Sequence, residues 1–249
     1  MRLGAIHRRA PAHIPPLAAR ARLSMLQAPP SADWHAKCPA DGDDLGNGRY
    51  GCCVPAADYR LIQLRRANAW GDSWAPTTDM VLARYSALTG FDPATGLPDD
   101  GTDTVADMQA WCSRGIWLDG QNEDVPFWTV VDPAELEHVN LAIAHFGGVA
   151  ITLALPAAAQ DLAWDRAPGS GADWVPGSWG NHRVCSGRYD GAVRTVRTWG
   201  RDVEVHPEFW TRYVVAVDAA LSREWLDATG LSPPGLDWDR LREDAVQVA

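Results

Sequence analysis

Asn47-Gly-Arg-Tyr-Gly-Cys-Cys53-Val-Pro-Ala-Ala57 reads as a glycine-bearing loop running into a helix, with a cysteine at the junction. Pro55 suits a first helical turn, where its missing N–H is not needed. Val54, Ala57, Leu61 and Leu64 then recur at helical spacing to about Ala69. A second segment, Asn181-His182-Arg-Val-Cys-Ser-Gly-Arg-Tyr-Asp190, places a histidine at the start of an expected strand. A thiol and an imidazole brought together by folding can form a thiolate–imidazolium pair, the reactive unit of thiol hydrolases. Either residue alone is more often structural, so the weight rests on the two segments together.

Working outward, the chain divides into a helical half and a stranded half. Helices are expected over Thr78–Leu88, stopped by Gly90, over Thr104–Ser113 with Asp103 or Thr104 as its cap, and over Pro133–His145, ending at Gly147-Gly148. Beyond this the periodicity changes. Val149–Leu155, Arg183–Tyr189, Val193–Trp199 and Tyr213–Val217 read as strands, the middle two joined by a turn at Asp190-Gly191, with a helical turn at Pro207–Arg212. Leu221–Thr229 and Trp238–Val246 read as closing helices. Helices first and an antiparallel sheet after them is the α+β signature.

Composition narrows the function classes. The 249 residues suffice for one sizeable core, and 46% hydrophobic content with 13 tryptophans argues for an ordered chain. A net charge of −10 argues against nucleic-acid binding, which needs a basic surface. The charge is uneven. Residues 1–32 carry five arginines and no acid, whereas the remainder carries 17 basic against 32 acidic residues. Residues 1–30, rich in Arg, Ala and Pro, are therefore expected to form an extended basic arm. That arm should be ordered by contact with an acidic surface, its own or a partner's, and serve assembly more than chemistry. No signal or membrane-spanning segment is visible, and five cysteines without framework spacing read as reduced thiols of a cytoplasmic protein.

Several motifs are decoys. Gly46-Asn-Gly48-Arg-Tyr-Gly51 fits G-x-G-x-x-G, but no apolar strand precedes it and Asp41, Asp43 and Asp44 would repel a pyrophosphate. Asp41-Gly-Asp43-Asp-Leu-Gly46 begins like a calcium loop, yet Leu45 and Cys52 stand where oxygen ligands are needed. His138 and His145 have no adjacent carboxylate or thiol to complete a metal site. Neither a cofactor nor a metal is expected.

The chain resembles the papain-like cysteine peptidases over about residues 30–217. Pro30-Ser-Ala-Asp33-Trp34 followed by Gly51-Cys52-Cys53-Val54-Pro-Ala-Ala57 is similar to that family's P-x-x-x-D-W and Q-G-x-C-G-S-C-W-A-F. Asp100-Gly101-Thr-Asp103 through Gly115-Ile116 and Leu141 through Gly147-Gly148-Val-Ala-Ile151 resemble its glycine-led helix and G-P-V strand entry. Asn181-His182-Arg-Val184, Gly187-Arg-Tyr189 and Trp199-Gly200 resemble N-H-A-V-x-x-V-G-Y and N-S-W-G. The resemblance implies a two-lobed fold: the arm at 1–30, a papain-like domain at 31–249 with a helical lobe at 31–145, a sheet lobe at 146–217 and closing helices at 218–249. It implies Cys53 as nucleophile, His182 as its base and acid, and Asn47 as oxyanion donor in place of the family's Gln. Alignment on Trp199-Gly200 puts Arg197 at the position of the family's imidazole-orienting Asn, with Thr198 the neighbouring choice. An arginine cannot accept from an imidazole N–H.

Two functions from different classes follow. One is a thiol hydrolase acting on peptide or protein substrates by Cys–His catalysis, weakened by the departure at the orienting position. The other is a non-catalytic structural or interaction protein on the same fold. A looser resemblance to papain-like proteins of actinobacterial phages and prophages implies a virion role, with neighbouring virion subunits as partners.

Overall fold

Cys53–Ala69 forms the central helix, α1, in a computed structural model that describes residues 1–19, 26–118, 120–123, 125, 127–226 and 230–235. It is buried almost all round because it lies between two packed units. Tyr59 and Ile62 face a core built from Leu45, Val81, Tyr85, Phe91, Met108 and Trp111. Leu61, Leu64 and Ala67 face the opposite way, against Ala150 and Cys185 of the sheet. A helix that serves two cores cannot carry a polar stripe. Its buried Arg65 is accommodated by donating to the carbonyls of Phe146 (3.0 Å) and Ala220 (2.6 Å) and to the Ser222 hydroxyl (2.9 Å).

The first unit is completed by α2 (Thr78–Thr89) and α3 (Thr104–Arg114). Thr77 caps α2 by accepting from the Met80 N–H, and Gly90, at φ +77°, ends it. Asp103 caps α3 by accepting from the Val105 and Ala106 N–H groups. α4 (Leu136–Phe146) and α5 (Pro207–Tyr213) pack on the sheet lobe.

The strands are β1 (Ala5–Ile6), β2 (Ser31–Asp33), β3 (Thr102–Asp103), β4 (Ile116–Leu118), β5 (Gln121–Glu123), β6 (Phe127–Val131), β7 (Val149–Leu155), β8 (Gly180–Asp190), β9 (Val193–Thr198), β10 (Arg201–Val205) and β11 (Val214–Leu221). Among the described residues, seven of them form one antiparallel sheet in the order β10-β9-β8-β7-β11-β6, with β2 added beside β8. The register pairs Leu153 with His182 and Thr152 with Arg183. A core of Phe146, Trp164, Trp210, Tyr213 and Trp225 fills the sheet lobe.

The helical and antiparallel halves expected from the sequence are present, so the chain is α+β with two lobes. Three features differ. β6 lies within the expected helical half yet pairs with β11, because Phe127, Trp128, Thr129 and Val131 are all buried and show no alternation to read. β10, Arg201–Val205, hides among charges. The closing helix expected over 221–229 is, in its described part, the end of β11 followed by a 3-10 turn at Arg223–Trp225, whose Trp225 is buried in the sheet-lobe core. The second closing helix, expected at 238–246, lies outside the described residues.

The described part of the arm lies on the body. Tyr189 donates to the Pro29 carbonyl (2.7 Å), Thr129 to the Pro15 carbonyl (2.7 Å), and Leu17 is buried in the sheet-lobe core. Arg2 pairs with Asp99 (2.8 Å) and Arg8 with Asp103, the basic-on-acidic contact that the charge division predicts. Among the described residues no helix is long and apolar enough to cross a membrane.

Candidate active site

Cys53 is the first residue of α1 and Cys52 is its N-cap. The two adjacent thiols diverge. Cys52 turns into the helical lobe, where its sulfur meets the Leu45 carbonyl at 3.7 Å. Cys53 faces the sheet, at the positive end of the helix dipole, with backbone N–H groups of Arg183 and Gly4 directed at its sulfur. Arg183 directly follows His182 in β8. The loop before α1 and the start of β8 therefore meet, as the two sequence segments require.

His182 is wholly buried. Its ring stacks flat on Trp199, with centroids 4.2 Å apart and planes 7° apart. Trp179 stacks on the far side of Trp199, and Trp164 meets it edge-on. Trp199 reaches this position from a left-handed backbone, φ +47°, which is costly for a bulky residue and marks a constrained site. His182 Nε2 lies 2.7 Å from the Thr198 hydroxyl, and Nδ1 has no hydrogen-bond partner. The orienting contact thus falls to Thr198. Arg197, one residue earlier on the strand, turns away: its guanidinium grips Asp202 at 2.7 and 3.0 Å and reaches the Cys38 sulfur at 3.4 Å. Alternation along β9 explains the choice, since neighbouring side chains leave on opposite faces.

Asn47 is buried beside the thiol. Its Nδ2 donates to the carbonyls of Arg2 (3.3 Å) and Tyr50 (3.2 Å), and its own carbonyl accepts from Trp199 Nε1 (3.3 Å). The amide is therefore already donating to a backbone carbonyl presented by the N-terminal segment. That segment closes the site. Ala5 packs on Cys53 and Val54, Leu3 lies against Gly180, and β1 pairs in parallel with β3 through Ala5–Thr102 and Ile6–Asp103. Gly4 is threaded between Gly51 and Gly101. A Cβ on Gly4 would lie 2.0 Å from the Gly51 carbonyl oxygen, and one on Gly101 2.2 Å from that of Gly4. Ala5 of the arm thus sits over the thiol. What remains open beside Cys53, Asn47, Arg183, Thr198 and Trp199 is a cavity of about 20 Å³, room for one water.

No family model and no curated protein matches the sequence. Solved structures do match. Xylellain, a cysteine protease from Xylella fastidiosa, superposes with a TM-score of 0.65 at 14% identity, over 88% of this chain and 95% of that one. ProCathepsin B S9 from Trypanosoma congolense gives 0.57 at 12% identity over 88% and 86%. The Carica candamarcensis cysteine protease CMS1MS2, in complex with E-64, gives 0.54 at 13% identity over 78% and 98%. The fold is papain-like. At these identities the likeness carries the architecture, and chemistry has to be argued from the side chains.

Closure sets the charge state of both groups. Burial pushes the Cys53 thiol up to about 11, against the lowering influence of the Arg183 and Gly4 backbone and the Arg183 guanidinium. Burial takes the His182 imidazole down to about 3. Both are neutral at pH 7, so the closed site holds no thiolate–imidazolium pair. Among the described residues no cluster of three or more His, Cys, Asp or Glu side chains is arranged to hold a metal ion.

These shifts fix how closure depends on pH. Below about pH 6.5 an opened His182 binds a proton that the closed one refuses until about pH 3, so closure weakens as pH falls. Above about pH 8.5 an opened Cys53 releases a proton that the closed one retains to about 11, so closure weakens as pH rises. The closed form should be most stable between these limits. From pH 7 to pH 5 the His182 contribution falls by roughly 2 kcal/mol. Calorimetric melting temperatures should peak at pH 6.5–8.5 and drop on both sides, and His182→Gln should flatten the acid side. A parallel acid limb in the variant would contradict this assignment.

Proposed function

We propose that this protein is a thiol hydrolase that cleaves peptide or amide bonds through Cys53 and His182, and that the described conformation is its masked form. The observation that carries the reading is the convergence of Cys53, at a helix N-terminus, with a histidine strand whose ring is clamped between Thr198 and Trp199. A structural histidine needs no such clamp, and its Nδ1 would find a partner; here Nδ1 is buried and unpaired. Once residues 1–6 leave, a substrate carbonyl can take the position beside Cys53. Asn47 Nδ2 would donate to the oxyanion in place of the Arg2 carbonyl, together with the Cys53 N–H. Cys53 loses its proton to solvent and its thiolate attacks the carbonyl, His182 relays a proton from solvent to the leaving amine, and water then hydrolyses the acyl-enzyme.

The closed cavity favours a second reading, a non-catalytic interaction protein whose first residues permanently fill the cleft. A role in a phage particle belongs to that reading and rests on the sequence resemblance alone. Hydrolysis of a mixed fluorogenic peptide library separates the two. The hydrolase reading expects cleavage by the full chain that rises when Gly4 is replaced by valine and vanishes in Cys53→Ser. Absence of cleavage in both the parent and Gly4→Val, with no excess of Cys53 alkylation over Cys112, would favour the interaction protein.

A further inference from the structure

We propose that Arg183 is a positioning residue of this site, and that its buried guanidinium, rather than a protonated His182, is the counter-charge of the Cys53 thiolate. The inference rests on the reading of Cys53 as a nucleophile. The family pattern N-H-A-V has alanine at this place, so nothing in the resemblance assigns a role to residue 183.

The Arg183 guanidinium lies in the field of Asp58 of α1 and pairs with Asp218 of β11. It is buried to 1% exposure, and a guanidinium is not buried without partners. Only part of it is satisfied. Nη1 donates to Asp218 (2.7 Å) and to the Thr152 hydroxyl (3.3 Å), while Nε and Nη2 are buried with no hydrogen-bond partner. The Arg183 backbone N–H is directed at the Cys53 sulfur, and Cys53 and Arg183 line the same small cavity. One residue thus offers the thiol a fixed donor and a nearby cation with unused N–H groups.

Against burial, Asp218, then Asp58 and Asp107, hold the Arg183 guanidinium above its usual value, so it keeps its charge. From α3 and α2, Asp107 and Arg84 pair at 2.5 Å. From α1, Asp58 lies 3.6 Å from Arg84 Nε, and burial and then Asp107 push its carboxyl up. From β11, Asp218 also accepts from Trp128 Nε1 (3.0 Å), so its negative charge is shared. Arg60 and Arg197 line the cavity too and, like Arg183, are ion-paired, to Asp41 and Asp202, but neither has a buried nitrogen left without a partner. His182, by contrast, has a hydroxyl and an indole for neighbours and no carboxylate, which leaves an imidazolium unsupported. The thiol proton therefore passes to solvent once the cleft opens, the sulfur keeps the electron pair beside Arg183, and neutral His182 remains available for proton transfer to and from substrate.

The test uses the full-length chain carrying Gly4→Val, so that Cys53 is reachable, and compares Arg183→Gln, Arg183→Lys and His182→Gln in that background. The readout is the pH profile of iodoacetamide alkylation at Cys53, mapped by mass spectrometry. Arg183→Gln should raise the titration midpoint by about one unit and slow alkylation at pH 7 about tenfold. Arg183→Lys should stay within threefold of the parent. His182→Gln should also keep the midpoint while losing peptide hydrolysis. A midpoint unmoved in Arg183→Gln overturns the proposal, as does one raised a full unit in His182→Gln. If Arg183→Gln fails to fold by circular dichroism, the His182→Gln midpoint decides alone. Failure of the underlying hydrolase reading looks different: Cys53 in the Gly4→Val parent then reacts no faster than Cys112, and both readings fall.

Discussion

Gly4→Val in the full-length chain should raise alkylation of Cys53 at pH 7 by about 300-fold. The argument starts from geometry. A Cβ on Gly4 would stand 2.0 Å from the Gly51 carbonyl oxygen, and the obstacle is backbone, which cannot swing aside. The valine must therefore lift β1 off β3 and carry Ala5 away from Cys53. Burial is the largest cause of the raised thiol, so exposure returns it from about 11 towards the ordinary value near 8.5. The thiolate is the reacting species, and a drop of about 2.5 units multiplies its fraction at pH 7 by about 300. Cys112, in the helical lobe, serves as an internal reference and should not change. A rate at Cys53 within threefold of the parent would mean that the segment is not what masks the thiol.

In the same background, His182→Ala should lower peptide hydrolysis by about 10³-fold, within the range that positioned proton transfer supplies. Thr198→Val should lower it by about tenfold, because the ring loses its one hydrogen bond yet remains stacked on Trp199. Arg197→Asn should change the rate by less than threefold. Its effect should appear as a lower melting temperature, since the replacement leaves Asp202 without its bidentate partner. The reverse order, with Arg197→Asn raising hydrolysis and Thr198→Val neutral, would show that the orienting position had been read from the wrong strand residue. Steady-state rates on one fluorogenic peptide, alongside thermal melts, distinguish the two.

The parts of this fold legible in the sequence are those governed by local rules. Asp103 and Gly90 mark the ends of α3 and α2 because caps and left-handed stops are chemistry of single residues. β7 matches its expected span because Val149–Leu155 is an uninterrupted apolar run bounded by glycine and proline. β6 was hidden for the same physical reason that β7 was visible. A short apolar run carries no period, and only pairing with β11 makes it a strand. β1 and β3 are two residues each and exist only because a remote segment lies in the cleft, which no local pattern encodes.

The site was legible as residue types but not as a state. Cys53 and Asn47 line one cavity with Thr198 and Trp199, and of the two orienting choices it is Thr198 that meets the His182 imidazole. Spacing from Trp199-Gly200 favours Arg197; alternation on β9 decides otherwise. The role of Gly4 and Ala5 over the thiol could have been suspected only from the pairing of Gly4 with Gly51 and Gly101, three backbones that need to touch. Arg183 carried a signal that sequence reasoning passed over. A charged residue stood beside the histidine in a strand expected to be core, and such a residue needs partners.

The central claim is that Cys53 forms an acyl-enzyme once the N-terminal segment is displaced. Full-length Gly4→Val, mixed with an activated peptidyl ester and quenched in acid within the first turnover, should show one added acyl group by intact-mass spectrometry. Peptide mapping should place it on Cys53, and Cys53→Ser should abolish the thioester signal. An unmodified protein, or acylation spread evenly over Cys38, Cys112 and Cys53, would contradict the account.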